Sequence, residues 1–240
     1  MKSKYLVLLV PSVAVLLLLV GKPTSTVEAE SGGSLTGTVK FTGTAPKPTK
    51  IDMSFDPNCA KAHPTPAVTE EVVTGADGGL ANVVVYVADG LGSQTFEPPT
   101  QPAVLEQKGC VYVPHVIALQ ANQKLDVVNS DLTTHNIHPN PANNREWNRT
   151  QPHGVPLEES FAREEISIPV KCNVHPWMRG YIAVLKNPYF AVTDKNGHFE
   201  VKGLPPGSYT INAWQEKLGA QTQKVTVTAG QNGNLEFVFK

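Results

Sequence analysis

A short segment of the chain holds three side chains that can bind a soft metal ion. Cys172, His175 and Met178 are spaced three positions apart, between the apolar runs 166–170 and 181–185. Runs of this length and composition are typical of strands. A tight loop between two such strands would gather a thiolate, an imidazole and a thioether around one point. The spacing therefore constrains the fold, because both strands must hold the loop in place.

A metal ion bound in this loop needs a further ligand from a remote segment. His135, in the segment 129–136, can supply a second imidazole. Two imidazoles and a thiolate with a long axial thioether form a mononuclear type 1 (blue) copper site, so we expect one copper ion as the cofactor. Taken alone, a cysteine or a methionine is usually a core residue. The coincidence of all four residues favours the metal site.

These segments resemble those of a known family. Residues 172–180 are similar to the copper-binding loop of cupredoxins, and the short Cys-x-x-His-Pro-x-Met form is most similar to that of amicyanin. Residues 129–136 resemble the segment that carries the first histidine of plastocyanin-like proteins, and the resemblance extends over residues 103–186. It implies four copper ligands and one residue that ties the two segments together by hydrogen bonds: His135, Cys172 and His175 as equatorial ligands, Met178 as the axial ligand, and Asn136.

The ligand set predicts outer-sphere electron transfer and no enzyme activity, because a site suited to both Cu(I) and Cu(II) rearranges little when one electron moves. A catalytic Cys–His pair is normally assembled from distant segments, whereas Cys172 and His175 share one loop. We expect His175 to form the exposed edge of the site. Pro176 and Trp177 are expected to form the patch on which a redox protein partner docks, or Trp177 instead anchors the loop in the core.

The polar segment 139–160 is long for a loop in a compact domain. Loops beyond about 12–15 residues are often functional or disordered. We therefore consider this segment as a cover for the metal site. His138 is close enough in sequence to His135 to lie beside the ligands.

The chain has three cysteines. If Cys172 binds metal, Cys59 and Cys110 remain as a possible disulfide, which an exported protein can keep. The alternative is a second metal site formed by Cys59 and His63, and we favour the disulfide. A binuclear copper centre is disfavoured, because it needs two thiolates in the loop and Cys172 is the one present.

The amino terminus is typical of a secretory signal peptide. Lys2 and Lys4 precede the apolar run 6–20, and small residues near Ala29 offer a cleavage site. The run is shorter than the roughly 20 residues that a bilayer-spanning helix needs. We therefore expect residues 1–29 to be removed and the mature chain to be secreted or periplasmic, with no stable membrane span. The net charge of −1 gives no basic face for nucleic acid.

Alternating and continuous apolar patterns predict strands along most of the chain. Leu35 to Phe41 alternate with polar residues, and the runs 80–87, 111–119 and 125–128 continue the series. Turn residues are frequent, with 19 glycines and 20 prolines. The sequence therefore predicts an all-β fold built of β-sandwiches.

The carboxyl-terminal part has its own pattern of strands and turns. Residues 191–201 form a predicted hairpin around Asn196 and Gly197, and strands follow at 208–211, 225–227 and 235–239. This part resembles the carboxypeptidase regulatory-like domain, a small β-sandwich related to transthyretin-like and starch-binding-like modules. Such a fold does not define a function.

The family pattern usually opens with strands that this chain places far upstream, near Gly37 to Val39 and Gly79 to Val87. We therefore predict that a cupredoxin-like copper domain, 101–186, is inserted into a sandwich formed by an N-terminal β region, 31–100, and the carboxyl-terminal domain, 187–240. A second functional interpretation is a non-redox protein that binds carbohydrate or a surface partner, with a structural or vestigial metal site. No residue pattern supports carbohydrate.

Overall fold

The computed structural model describes residues 32–229 and 233–240. The predicted signal peptide, residues 1–29, lies outside them. Nearly all of the regular secondary structure in the described chain is β, which confirms the predicted fold class. Among the described residues, no helix combines the length and apolarity that crossing a bilayer requires.

The described elements follow one another as strands, with one short α-helix and one 3₁₀ turn near the start. In chain order they are β1 (Gly33–Phe41), α1 (Pro57–Ala62), the 3₁₀ turn (Ala76–Gly78), β2 (Val84–Asp89), β3 (Ala103–Gln107), β4 (Tyr112–Val113), β5 (Val116–Gln120), β6 (Lys124–Asn129), β7 (His135–Pro139), β8 (Arg149–Gln151), β9 (Leu157–Ser160), β10 (Glu165–Lys171), β11 (Arg179–Leu185), β12 (Phe190–Val192), β13 (His198–Leu204), β14 (Gly207–Gln215), β15 (Gly219–Val227) and β16 (Gly233–Phe239).

The first sandwich joins the two ends of the described chain. Its sheets have the strand orders β13-β1-β16 and β12-β2-β14-β15. β1 is antiparallel to β13 and parallel to β16, and its alternating residues Leu35 and Val39 are buried in a core with Val85 and Phe237. The predicted insertion of 101–186 requires such pairing between early and late strands; its boundaries stay a prediction.

The second sandwich is formed by the chain between β2 and β12. Its sheets have the orders β5-β11-β10-β7-β8 and β4-β3-β6-β9. The core between them includes Leu119, Leu125, Ile137, Ile168 and Ile182. Apolar residues of strands from both sheets therefore fill one layer, as in other two-sheet sandwiches.

The two sandwiches pack against each other through one sheet of each. Their contact is formed by a buried cluster: Val84, Tyr86, Val116, Ala183 and Leu185. On the opposite faces of the same strands, Val85 packs in the first core and Ile182 in the second. β2 and β11 are thus covered on both faces, which explains why they are continuous apolar runs in the sequence.

The segment between β1 and β2 contacts the second sandwich. Met53 and Cys59 belong to the core of that sandwich. α1 is capped by Asp56, whose side chain accepts a hydrogen bond from the backbone N–H of Asn58 at 2.8 Å. Cys59 is joined to Cys110 by a disulfide with a Cα–Cα distance of 5.4 Å. The helix is therefore fixed covalently to the loop between β3 and β4.

Three local features differ from the sequence-based expectations. α1 was not predicted, because its six residues are too few to show a helical apolar stripe. The expected strand 111–119 is divided into β4 and β5 at Pro114, which has no N–H for a ladder hydrogen bond. The expected strand 80–87 begins at Val84.

A buried ion pair at the contact between the sandwiches predicts a pH dependence of stability. His115 contacts Glu216, and both side chains are buried. Burial lowers the pKa of His115, but the hydrogen bond and the charge of Glu216 outweigh this and hold the pKa above its ordinary 6.5. A raised histidine pKa stabilises the fold fully below the unfolded pKa, and this stabilisation is lost as pH rises through the folded pKa.

We therefore expect the free energy of unfolding to fall as the pH rises above about 6.5 and through the raised pKa of folded His115, and the fall to be smaller in a Glu216→Gln variant. Urea denaturation at a series of pH values measures this. Glu200→Gln, at an exposed carboxylate of the first sandwich, is the matched control and should keep the wild-type slope. Equal slopes in Glu216→Gln and wild type would contradict the assignment.

The disulfide predicts a second stability effect. It closes a loop with a sequence separation of 51, and removing a cross-link of that length costs about 4 kcal/mol through the entropy of the unfolded chain. A Cys59→Ala, Cys110→Ala double variant should lose roughly that much stability in urea denaturation. Reduced wild-type protein should lose a similar amount. A loss below about 1 kcal/mol in both would show that the cross-link is not a main constraint.

Candidate metal centre

Strand pairing brings the two predicted ligand segments together. β7 and β10 are antiparallel, with His138 opposite Lys171. This register sets the beginning of β7, at His135, beside the loop that follows β10 and contains Cys172. The short Cys-x-x-His spacing then turns His175 back toward the same point. A register shift of one residue would turn these side chains to the other face.

Three of the four predicted ligands meet in the interior. Nδ1 of His135 lies 2.9 Å from Nδ1 of His175, and Sγ of Cys172 lies 3.9 Å from Nδ1 of His175. The ligand atoms of all three residues lie within 4.8 Å of one another, and all three residues are buried. The structure thus places two nitrogens and one sulfur around a common centre.

Met178 completes the loop. Its side chain is fully buried in the same core cluster as Cys172. The backbone closes the turn with two hydrogen bonds, from Met178 N–H to the carbonyl oxygen of His175 at 2.9 Å and from Cys172 N–H to that of Met178 at 3.2 Å. The loop conformation is therefore held by its own backbone.

The sulfur of Cys172 accepts two backbone hydrogen bonds. Asn136 N–H and His175 N–H each lie 3.3 Å from Sγ. Burial raises the pKa of the Cys172 thiol, but interactions with His135 and these amides outweigh it and hold the pKa below its ordinary value. The environment therefore favours the thiolate, which is the form that binds metal.

Two carboxylates hold the outer nitrogens of the imidazoles. Nε2 of His135 lies 2.8 Å from Oδ2 of Asp131, and Nε2 of His175 lies 3.1 Å from Oδ2 of Asp56. A carboxylate at Nε2 fixes the tautomer with the proton on Nε2 and leaves the lone pair of Nδ1 free. Two such lone pairs 2.9 Å apart repel each other unless a proton or a cation lies between them.

The pKa values of the two histidines shift in opposite directions. Burial lowers the pKa of His135, but Asp131 and Cys172 outweigh it and raise the pKa above its ordinary value. Burial lowers the pKa of His175, and the positive charge of His135 adds to this. A proton on His135 therefore disfavours a second proton on His175.

Both carboxylates are themselves fixed. Asp131 accepts hydrogen bonds from the backbone N–H groups of Gly109 and Cys110, each at 2.7 Å. Asp56 accepts the hydroxyl of Thr133 at 2.7 Å. The roles of Asp56 and Asp131 were not predicted from the sequence. The available signals were local: Asp56 precedes a proline, as a helix cap does, and Asp131 lies four positions before His135.

Asn136 links the two ligand segments. Its Oδ1 accepts the backbone N–H of Asn173 at 3.0 Å, and its Nδ2 donates to the carbonyl oxygen of Arg149 at 3.1 Å. Its own backbone N–H donates to Cys172. Asn136 therefore contacts the loop at two successive residues, Cys172 and Asn173.

The expectation that His175 forms an exposed edge was wrong. Its side chain is 1% exposed, because Asp56 at the start of α1 covers its Nε2 atom. α1 is held there by the disulfide of Cys59, so a cross-linked cap takes the place of the open edge. The segment 139–160 instead contributes β8 and β9 to the sheets and packs Trp147 against Phe161.

The structure also places the other residues that the sequence singled out, which are Pro176, Trp177, His138 and His63. Pro176 is exposed, whereas Trp177 is partly buried and donates from Nε1 to the carbonyl oxygen of Cys110 at 3.1 Å. Its ring centroid lies 5.1 Å from that of His175. His138 contacts Glu146 through Nε2 and Asn173 through Nδ1, and it does not belong to the group of three converging ligand atoms. His63 contacts the carbonyl of Gly109, so no second metal site forms with the disulfide-bonded Cys59.

Separate parts of the chain are similar to different known proteins. Residues 182–240 match the family model of the carboxypeptidase regulatory-like domain, which begins within β11, five positions before the predicted boundary at 187. No curated protein has a sequence that matches this chain.

Several solved structures are similar to part of this chain. A copper-containing nitrite reductase from Thermus scotoductus SA-01 is 20% identical, with 42% of this chain and 25% of that chain covered and a TM-score of 0.34. A purple cupredoxin from Nitrosopumilus maritimus is 21% identical over 34% of this chain and 98% of that chain, with a TM-score of 0.30. An amicyanin variant in the Cu(I) state is 17% identical over 40% and 96%, with a TM-score of 0.31. The last quarter of the chain thus matches the carboxypeptidase regulatory-like family, and the structures similar to this chain include cupredoxins.

Proposed function

We propose that this chain is an exported type 1 copper protein that binds one copper ion and transfers electrons without enzyme activity. The observation that carries the proposal is the convergence of two imidazole Nδ1 atoms and the sulfur of Cys172 at one buried point. His135, Cys172 and His175 would hold the ion, with Met178 as the weak axial ligand. This donor set fits copper in both oxidation states.

The surroundings of the ligands support electron transfer over bond chemistry. When bound, copper supplies a one-electron couple. The protein fixes both imidazoles through Asp56 and Asp131 and the sulfur through two amides. A site held in this way needs little rearrangement when its charge changes. The burial of His135 and His175 also leaves no open edge for a substrate to reach the ligand atoms.

Optical absorption tests the proposal directly. The full chain loaded with Cu(II) should bind one ion and show the intense blue absorption of thiolate-to-copper charge transfer. Cys172→Ala should lose this absorption because the thiolate is gone. His198→Ala, at an exposed histidine of the first sandwich, is the matched control and should stay blue. Colourless wild-type protein would reject the type 1 site and favour a non-redox, surface-binding protein.

The contact between Asp131 and His135 predicts that loss of the carboxylate weakens metal binding without abolishing it. Groups that orient a metal-binding histidine typically contribute about 10- to 100-fold in affinity. We therefore expect Asp131→Asn to bind Cu(I) weaker by a factor in that range, because a neutral amide is a poorer acceptor for Nε2–H. Competition with a Cu(I) chelator measures this. Asp126→Asn, on the neighbouring β6, is the control; equal affinities in both variants would refute the role of Asp131.

A further inference from the structure

A cavity of about 320 Å³ lies between the two sandwiches, next to the candidate metal centre. Val111, Trp177 and Tyr181 line it from the second sandwich, and Glu216 and Lys217 line it from the first. Ligand pockets in proteins are commonly about 300–1,000 Å³ and often lie where two domains meet. This cavity is at the small end of that range, which suits a molecule with a single ring.

Trp177 connects the cavity to the metal centre. It lines the cavity, and its ring centroid lies 5.1 Å from that of His175. Its indole is fixed by the hydrogen bond from Nε1 to Cys110. Because the cap closes the edge of His175, the indole offers a short route between a bound molecule and a ligand of the metal.

The charges around the cavity favour an anion. Glu71 is paired with Lys217 at 2.8 Å, and Glu216 is paired with His115. Lys171 and Arg179 also line the cavity. Neither has an ion-pair partner within residues 32–229 and 233–240.

Lys171 and Arg179 are direct partners in the ladder between β10 and β11. Like charges directly opposite each other on neighbouring strands destabilise a sheet. Glu70 is the remaining unpaired carboxylate in the lining, so two positive charges face one negative charge. An anionic group bound between Lys171 and Arg179 would offset their repulsion.

We propose that this cavity binds a single-ring phenolic acid of the hydroquinone class and that the bound molecule donates electrons to the metal centre through Trp177. The ring would lie against Trp177 and Tyr181, with its carboxylate on Arg179 and Lys171. This inference rests on the proposed function. A hydroquinone gives up two electrons and two protons to become a quinone; two successive one-electron transfers reduce two copper-loaded chains, and the protons pass to water.

Calorimetric titration with 4-hydroxybenzoate tests the binding part without any electron transfer. The full chain, with and without copper, should bind one molecule. Arg179→Gln and Lys171→Gln should each weaken binding about tenfold, the typical effect of losing a hydrogen bond to a charged group. Lys202→Gln removes an exposed lysine of the first sandwich and should leave binding unchanged. Absence of binding, or equal affinity in Arg179→Gln and wild type, would overturn the proposal.

Loss of the blue absorption on mixing with 2,5-dihydroxybenzoate tests the electron-transfer part. The rate should saturate with concentration in the wild-type protein and should be about tenfold slower in Arg179→Gln at low concentration. An equal rate in both would overturn the proposed route. If the Cu(II) protein is not blue, the proposed function fails, whereas titration of the metal-free chain still decides whether the cavity binds the acid.

Discussion

The approach of two buried imidazoles through their Nδ1 atoms is the constraint on which the rest of the site depends. At a distance of 2.9 Å the lone pairs of these two atoms repel each other unless a cation or a proton lies between them. Asp56 and Asp131 hold the outer nitrogens, and each carboxylate is held in turn by a hydroxyl or by backbone amides. The positions of both imidazoles are therefore fixed by groups around them.

The packing of the sheets explains why a cavity lies on one side of the site and α1 lies on the other. β11 packs on the first sandwich with one face and on the core below the ligand loop with the other. The same contact leaves the cavity beside Trp177. The register between β10 and β11 places Arg179 opposite Lys171 in the lining of that cavity. α1 closes the other side, because the disulfide between Cys59 and Cys110 holds it over His175. The two sandwiches and the cap together determine how the centre can be reached.

Much of the fold and part of the site follow from local patterns. Alternation in β1 and the continuous runs of β2 and β11 predict strands, since a strand is defined by neighbouring residues. The spacing of Cys172, His175 and Met178 predicts one loop for the same reason. The six-residue helix α1 has too few turns to show a pattern, and the contact of Asp56 with His175 joins residues 119 positions apart. No local signal indicates such a contact.

The sequence by itself therefore determined the all-β class, the carboxyl-terminal domain and the residues able to form a thiolate and imidazole site. These depend on side-chain chemistry and short spacings. Only the tertiary structure decided that His175 is covered, that Asp56 and Asp131 orient the imidazoles, and that Lys171 and Arg179 share a cavity with Trp177. Those features depend on strand register and on which sheets pack together, and both are set by contacts between distant parts of the chain.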